Sequence, residues 1–334
     1  MDVSFTTAAA NVASLSEDIK DLQGYTHAAY EIMNSLERRG ISCGVNYREA
    51  PIGIAMGFPS DYNFAPGQYK IGYTAWESTE LREGWLERML MVDELWATSS
   101  WTAEVFKNTT GREDIFVYPH GITPDWRPVQ RRLDDGPFRF LHVGEPQVRK
   151  NGQLVVDAFT ELFGNDPNYQ LILKCTNINT TRIYHDDGSI AGGPDAKYRN
   201  IIVITEAFTH KKMIELYQKT HAMIYPTTGE GFGFIPLQAL ATGMPTASTW
   251  EWAEYKDYIT VPVNSFFAAS EYQRIHPGNV YNVTKGQVKK AMTDLVDNYE
   301  KYRKEAFRNS FQLHSDFDWD RVTEPTATRL KNIL

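Results

Sequence analysis

The segment from Pro226 to Pro245 constrains the fold more than any other part of the sequence. An apolar strand ends before it, a loop with three glycines follows, and a helix begins near Ile235. Glycines allow a ligand to approach the backbone closely, and the free N–H groups at a helix N-terminus favour an anion. The pattern fits either a phosphate or sugar-phosphate cradle, or a strand-to-helix turn whose glycines serve only close packing.

The rest of the chain alternates short apolar runs with segments of helical period, as βαβ units require. The first series predicts strands at 2–6, 41–47, 69–74, 94–98 and 115–118, and helices at 24–39, 80–91 and 102–108. The second predicts strands at 138–143, 169–174, 200–205, 222–225 and 246–249, helices at 154–163, 211–219 and 235–241, and one long amphipathic helix from Val288 to Tyr302. The expected fold is therefore α/β, with two Rossmann-like domains that face each other across a cleft.

Prolines and charged residues between Pro124 and Pro137 interrupt this periodicity. We place the domain boundary there. The first domain is predicted to span residues 1–128 and the second residues 138–310.

Composition limits the classes of function. A net charge of −8 over 334 residues argues against a large non-specific nucleic-acid surface. The sequence has no apolar run of about 18 residues and no secretion signal, so we expect a cytoplasmic protein without integral membrane association. Cys43 and Cys175 are far apart, which fits two buried thiols in a reducing compartment.

No metal site is expected. The histidines lack an HExxH or similar ligand spacing. The acidic pairs Asp134-Asp135 and Asp186-Asp187 stand beside glycine in turn-like sequence, and we interpret them as solvated turns.

Residues 230–245 resemble the donor-binding signature of family-four retaining glycosyltransferases, E-G-F-G-x-x-x-x-E-A-x-A-x-G-x-P. Every position matches except the second glutamate, which is Gln238 here. Residues 140–144 together with 149–152 resemble the family's strand, glycine and lysine segment. Residues 117–122 and 126–128 resemble the end of its first domain, and residues 93–100 resemble the preceding strand and its serine. The resemblance runs, with gaps, from Gly24 to Pro245.

This resemblance implies a GT-B fold, in which residues 1–128 lie on the acceptor side, residues 138–310 bind a nucleotide-sugar donor, and a C-terminal helix at 311–334 returns to the first domain. It also implies metal-independent transfer of a hexose, with retention, from a UDP- or GDP-linked donor and without a further cofactor. The implied catalytic residues are Lys150, Arg149 and Glu230. Glu145 stands where the family often has an arginine, and Arg149 is a candidate to replace it.

The resemblance also implies two further sets of contacts. Glu230 would hold the donor sugar and Gln238 the ribose. The donor-binding set is Gly24, Gly144, Gly231, Phe232, Gly233, Phe234, Ile235, Gln238 and Phe208. The acceptor-side set is Tyr25, His27, Trp76 and Glu77.

Several of these assignments have a structural alternative. Tyr25 and His27 could be a helix-start aromatic residue and a surface histidine, and Glu77 could cap a helix that begins near Glu80. Phe208 either stacks on the donor base or packs in the core.

The function has alternatives as well. They are a GT-B sugar-nucleotide epimerase, a phosphorylase and a non-catalytic nucleotide-sugar-binding protein. The acceptor is open between a saccharide, a protein, a small molecule and a modified DNA base.

Overall fold

The structure is a computed structural model that describes residues 1–7, 24–64, 67–133, 136–145, 147–175, 183–184, 187–192 and 196–334. Two six-stranded sheets of parallel strands form its centre. The first contains β1 (Val3–Thr7), β2 (Cys43–Val45), β3 (Ile52–Met56), β4 (Tyr69–Thr74), β5 (Glu94–Ala97) and β6 (Ile115–Val117), with helices α1 (Gly24–Arg38), α2 (Trp85–Met89) and α3 (Ser100–Thr110). The α/β prediction is confirmed.

The second sheet begins after the predicted domain boundary. Its strands are β7 (Phe138–Val143), β8 (Tyr169–Lys174), β9 (Ile201–Ile204), β10 (Ala222–Tyr225), β11 (Thr246–Ser248) and β12 (Val261–Pro262). Its helices are α4 (Gly152–Phe163), α5 (His210–Lys219), α6 (Phe234–Ala241) and α7 (Lys285–Asp297). An antiparallel hairpin, β13 (Phe266–Ala269) and β14 (Asn279–Asn282), lies between β12 and α7. Helices α8 (Tyr299–Asp316) and α9 (Trp319–Ile333) complete the chain.

The strand order of each sheet reverses at one point. The first order is β2-β1-β3-β4-β5-β6 and the second is β12-β11-β10-β7-β8-β9. The reversal lies between β1 and β3 in the first sheet and between β7 and β10 in the second. Loops that follow neighbouring strands diverge at such a point and leave a crevice, where open α/β sheets bind ligands. Residues 144–151 and 226–233 follow β7 and β10.

Burial explains why the sequence forms these sheets. Every residue of β3 and of β10 is buried, as expected for central parallel strands that are covered on both faces. One hydrophobic cluster extends across both domains and includes Tyr73 from the first domain, Phe232 from the second and Trp319 from α9. The two domains therefore share a core.

The chain crosses back to the first domain at residues 317–318, later than the predicted 311. Helix α8 packs on α6 of the second domain, and α9 packs on α1 of the first. The Asp320 carboxylate lies 2.7 Å from the Ser35 hydroxyl and 2.6 Å from a guanidinium nitrogen of Arg38. The backbone N–H of Ile122 also donates to the Phe317 carbonyl at 2.7 Å.

Several elements differ from the sequence predictions, including β12, which was not predicted. Strand β3 was not predicted because Gly53 and the flanking Pro51 are typical of turns. The hairpin was also not predicted. Helix α2 begins only at Trp85, because Gly84 adopts a left-handed conformation with φ of 76°. The long helix predicted from residue 288 to 302 is two helices, α7 and α8, separated at Asn298, whose φ of −111° is not helical.

A buried carboxylate anchors α9 to the first sheet. Glu94 is 1% exposed. Its carboxylate accepts hydrogen bonds from the Tyr69 hydroxyl at 2.8 Å, Trp96 Nε1 at 2.9 Å and Arg329 Nε at 2.8 Å. Of these donors, only Arg329 carries a positive charge.

We expect Arg329→Ala to lower the free energy of unfolding by about 2 kcal/mol, because it leaves the Glu94 charge buried without its counter-ion. Urea denaturation measures this change. Arg321→Ala is the matched control on the same helix, since the Arg321 side chain is 60% exposed, and its cost should stay under about 0.5 kcal/mol. Equal losses in the two variants would show that the buried pair has no special role.

Candidate active site

A cavity of about 560 Å³ lies between the two domains, beside the loops that follow β7 and β10. We call it the donor cavity, after the donor site that the sequence resemblance predicts. Of the residues predicted from the sequence, only Trp76 is absent from its lining. The lining includes Gly24, Tyr25, His27, Glu77, Gly144, Arg149, Lys150, Phe208, Glu230, Gly231, Phe232, Gly233, Phe234, Ile235 and Gln238.

The Glu230 carboxylate is the centre of the polar contacts in this cavity. Its Oε1 accepts hydrogen bonds from Arg149 Nη1 at 2.7 Å, Lys150 Nζ at 2.6 Å, and the hydroxyls of Tyr225 and Thr227 at 2.9 Å each. The two cations come from the loop after β7, and the two hydroxyls come from the end of β10 and the loop that follows it. One carboxylate oxygen thus joins both loops of the second domain.

The charges of this cluster are set by burial and by one another. Burial acts to raise the pKa of Glu230, but Arg149 and Lys150 outweigh it and hold that pKa at about 2. Burial and then the charge of Arg149 lower the pKa of Lys150 to about 8, against the attraction of Glu230. Burial also opposes the charge of Arg149, yet Glu230 and Glu77 raise its pKa above the usual range. At neutral pH the cluster holds two cations and an ionised Glu230.

The glycines of the loop after β10 allow the two domains to touch. A Cβ at Gly229 would lie 2.3 Å from the backbone oxygen of Glu77, and a Cβ at Gly231 would lie 2.2 Å from the Cβ of Ala75. Gly233 has a φ of +83°, which side chains other than glycine rarely adopt. Close packing therefore accounts for at least two of the three glycines, and the packing partner is the first domain.

The N-terminus of α6 faces the donor cavity. Phe234 and Ile235, its first residues, line the cavity, and the capping position is Gly233, which has no side chain to bond the free N–H groups. Such N–H groups and the positive end of the helix dipole favour an anion. With Lys150 in the same cavity, the arrangement suits a phosphate group.

Two predicted acceptor-side residues lie in helix α1. The Tyr25 hydroxyl contacts Thr74 Oγ1 at 3.0 Å and accepts a hydrogen bond from the Ala75 N–H at 3.1 Å, so it orders the segment after β4. The His27 ring packs edge to face on Phe234, with centroids 5.6 Å apart. Burial lowers the pKa of His27 to about 4. His27 is therefore a neutral cavity residue, and the alternative of a surface histidine is wrong.

The other two acceptor-side residues point in different directions. Trp76 is fully buried, its Nε1 donates to the Glu80 carbonyl at 2.9 Å, and its ring packs on Trp85. The structure does not bring it to the cavity. Glu77 Oε1 does reach the cavity and lies 3.6 Å from Arg149 Nη2. Because α2 begins at Trp85, the alternative that Glu77 caps a helix near Glu80 is wrong.

Phe208 lines the donor cavity and is half-buried. The ammonium groups of Lys174 and Lys212 lie 5.1 and 5.2 Å from its ring centroid, within the range of cation–π contacts. Its position at the cavity argues against a purely structural role. That it stacks on a base stays a prediction.

Sequence reasoning missed three residues of the site. His120 is 3% exposed and stacks on Phe234 with centroids 5.1 Å apart, and burial lowers its pKa to about 3. The Tyr225 hydroxyl lies between Lys150 and Glu230. His276 approaches Glu77 from the hairpin. The first two lie in or next to segments that resemble the family, whereas no local pattern marks His276.

Within the described ranges, no group of three or more His, Cys, Asp or Glu side chains could hold a metal ion. None of the helices described there has the length and apolar character needed to cross a membrane. Asp134, Asp135 and Asp186 lie outside the described residues, so the solvated turns predicted for them stay predictions.

No protein-family model matches the sequence. Over 162 residues the chain is 26% identical to D-inositol 3-phosphate glycosyltransferase from Pseudarthrobacter chlorophenolicus, a match that covers 46% of this chain and 38% of that protein. Sucrose-phosphate synthase from Thermosynechococcus elongatus superposes with a TM-score of 0.71 at 11% identity, over 100% of this chain and 99% of its own. The chain has the GT-B fold.

A second structurally similar protein was solved with a ligand. Pneumococcal O-GlcNAc transferase GtfA, in complex with UDP and GlcNAc, superposes with a TM-score of 0.56 at 14% identity, over 92% of this chain and 60% of its own. The predicted resemblance to glycosyltransferases is confirmed by the sequence match and by this shared GT-B architecture.

In this GT-B protein, Glu230→Gln should lower the free energy of unfolding by about 3 kcal/mol, because Arg149 and Lys150 would remain buried without their shared anion. Chemical denaturation at neutral pH measures the loss. Glu77→Gln is the matched control: it removes a carboxylate of the same cavity that approaches Arg149 only to 3.6 Å, and should cost under about 1 kcal/mol. If Glu230→Gln unfolds like the wild type, Glu230 is not the counter-ion of the cluster.

Proposed function

We propose that this protein is a retaining glycosyltransferase that transfers a hexose from a nucleotide diphosphate sugar to an acceptor hydroxyl. The observation that supports this most is the position of Arg149 and Lys150 beside the N-terminus of α6, in the cavity between two Rossmann-like domains. The sequence match to a glycosyltransferase supports the same activity.

In the proposed complex, the diphosphate lies between Lys150, Arg149 and the first N–H groups of α6. These groups are already in place before the reaction, so they stabilise the negative charge that develops on the diphosphate as the glycosidic bond breaks. Positive charge from two side chains and a helix dipole takes the place of a metal ion. Glu230, released in part from the cations, accepts hydrogen bonds from the sugar hydroxyls.

The nucleoside extends from the diphosphate toward Phe208. Gln238 lies on the first turns of α6 and supplies an amide oxygen and two N–H donors for the ribose. We propose a UDP- or GDP-linked donor. The complex of the structurally similar GtfA with UDP supports a UDP-linked donor. The free and buried Cys43 and Cys175 support a cytoplasmic location.

Retention follows from attack on the face of the sugar that the diphosphate leaves. The acceptor oxygen bonds to the anomeric carbon, the carbon–oxygen bond to the diphosphate breaks, and its electron pair stays on the diphosphate, which takes up the acceptor proton. Arg149 and Lys150 act mainly on the transition state in this scheme, since the charge of the leaving group is greatest there.

Thermal unfolding with UDP, GDP, ADP, dTDP and CDP tests the donor site. One nucleotide should raise the melting temperature, since a ligand at about 100 times its Kd stabilises a protein by about 2.7 kcal/mol. Lys150→Ala should abolish the shift. Lys289→Ala, which removes a surface lysine paired with Glu161, should retain it. No shift with any of the five nucleotides would overturn the proposal.

Product analysis then separates transfer from the other reactions of this fold. The substrate is the sugar nucleotide of whichever nucleoside diphosphate raises the melting temperature. We expect release of that nucleoside diphosphate, together with a sugar transferred to an acceptor or released by hydrolysis. An isomerised sugar nucleotide would indicate an epimerase, and a sugar phosphate formed with inorganic phosphate would indicate a phosphorylase. A nucleotide that binds without turnover would indicate a binding protein.

Nucleotide affinity should fall as the pH rises through about 8. Burial and Arg149 lower the pKa of Lys150 to about 8, so above that pH its ammonium loses the proton and with it the attraction for the diphosphate. Calorimetric titrations between pH 7 and 9.5 measure the effect. Lys150→Arg keeps its charge throughout this range, so its affinity should be independent of pH. The same pH dependence in both proteins would exclude Lys150 as the cause.

A further inference from the structure

His120 lies where the first domain, the second domain and α9 meet. It follows strand β6 and lines the donor cavity, although only 3% of its surface is exposed. Its ring stacks on Phe234 with an angle of 4° between the two planes, and its centroid lies 4.9 Å from that of Phe232 and 6.1 Å from that of Trp319. Three aromatic contacts thus hold the imidazole in one orientation.

The hydrogen bonds of Tyr73 determine which nitrogen of His120 carries the proton. The Tyr73 hydroxyl contacts two groups, the backbone carbonyl of Tyr118 and, at 3.3 Å, Nδ1 of His120. A carbonyl has no proton to donate, so the single proton of the hydroxyl lies between Tyr73 and Tyr118. The Tyr73 oxygen then accepts a hydrogen bond from His120. His120 therefore carries a proton on Nδ1.

The other nitrogen of His120, Nε2, is a hydrogen-bond acceptor. Burial lowers the pKa of His120 to about 3, so the ring is neutral at physiological pH and Nε2 keeps its lone pair. Among the residues that the structure describes, none donates a hydrogen bond to Nε2, yet Nε2 is not one of the fully enclosed polar atoms that lack a partner. Nε2 is thus accessible from the donor cavity, and it can accept a hydrogen bond from a ligand there.

A neutral acceptor limits the chemistry of that ligand. Nε2 has no proton to give to a phosphate oxygen, whereas a hydroxyl group can donate to it. His120 contacts Phe232 and Phe234, which stand on either side of Gly233, the capping residue of α6. In the proposed complex this segment joins Glu230, which binds the sugar, to the helix N-terminus, which binds the diphosphate. His120 therefore lies beside the place where the sugar meets the diphosphate.

We propose that His120 is a specificity-determining residue whose Nε2 accepts a hydrogen bond from a hydroxyl group of the transferred sugar. This inference rests on the proposed function of the donor cavity. The sugar then lies between two hydrogen-bond acceptors from opposite domains, the carboxylate of Glu230 and the neutral imidazole of His120. A sugar without this hydroxyl would enclose Nε2 without a hydrogen-bond donor, which disfavours its binding.

The affinities for a sugar nucleotide and for its nucleoside diphosphate test this assignment, because only the sugar nucleotide carries the hydroxyl. The probes are UDP-glucose with UDP, or the corresponding pair for the base that thermal unfolding selects. Calorimetric titration compares the wild type with His120→Phe, which keeps an aromatic ring against Phe234 but has no nitrogen. We expect the variant to bind the sugar nucleotide about fivefold more weakly, as the loss of one neutral hydrogen bond predicts, and the nucleoside diphosphate as tightly as the wild type.

His120→Gln is the matched variant, since its amide can place an acceptor near the position of Nε2. It should recover most of the lost affinity for the sugar nucleotide. Equal weakening of both ligands in His120→Phe would place the contact on the nucleoside diphosphate, and unchanged affinity for both would show that His120 contacts neither. Either result overturns the assignment and leaves the donor site standing. A wild type that binds neither ligand would overturn the donor site and this assignment together.

Nitrogen-15 NMR of the histidine side chains in the wild type does not depend on whether the variants fold. In the protein without ligand, we expect the proton of His120 on Nδ1. The Nε2 resonance should shift when the sugar nucleotide is added and change little with the nucleoside diphosphate, because only the sugar hydroxyl donates to the lone pair. A proton on Nε2, or the same shift with both ligands, would overturn the assignment.

Discussion

The hydrogen bonds to one carboxylate oxygen, Oε1 of Glu230, hold the site of this protein together. Two of its four donors, Arg149 and Lys150, are buried cations from the loop after β7. Moving an ion out of water costs several kcal/mol unless a counter-ion and hydrogen bonds offset it, so neither cation would be stable here without Glu230. The loops at the reversal point of the second sheet are thus fixed relative to each other by charge. In the proposed complex, a diphosphate bound to these cations replaces one anion with another.

The backbone of the same loop fixes the position of the first domain. Gly229 and Gly231 approach the segment after β4 so closely that a Cβ at either position would overlap it. Thr98 Oγ1 also donates a hydrogen bond to the Gly231 carbonyl at 2.6 Å. The loop that carries Glu230 is therefore in contact with side chains of its own domain on one side and with the other domain on the other. Any opening of the cleft must break contacts of this loop, which couples the relative position of the domains to the geometry of the site.

Residues close to a strand end could be predicted from the sequence, because the βα pattern determines which loops share one edge of a sheet. Lys150 and Glu230 are 80 residues apart in sequence and hydrogen-bonded in space for this reason. Trp76 illustrates the limit of such reasoning. Like Glu77, it follows strand β4. Neighbouring side chains in extended chain point to opposite sides, and the βα pattern does not determine which of the two faces the cavity. His276 could not be predicted, because its position depends on tertiary hydrogen bonds of a hairpin that has no part in either parallel sheet.

Arg149, Glu77 and His276 form a row of side chains where the two domains meet. Glu77 is a carboxylate of the first domain that faces Arg149, and burial raises its pKa. Burial and the charge of Arg149 lower the pKa of His276 to about 3, so its ring is neutral at physiological pH. Of these three side chains, only Arg149 is therefore positively charged. In the proposed complex its charge and that of Lys150 act on the diphosphate, and their burial strengthens the attraction for an anion because the surroundings screen charge less than water does.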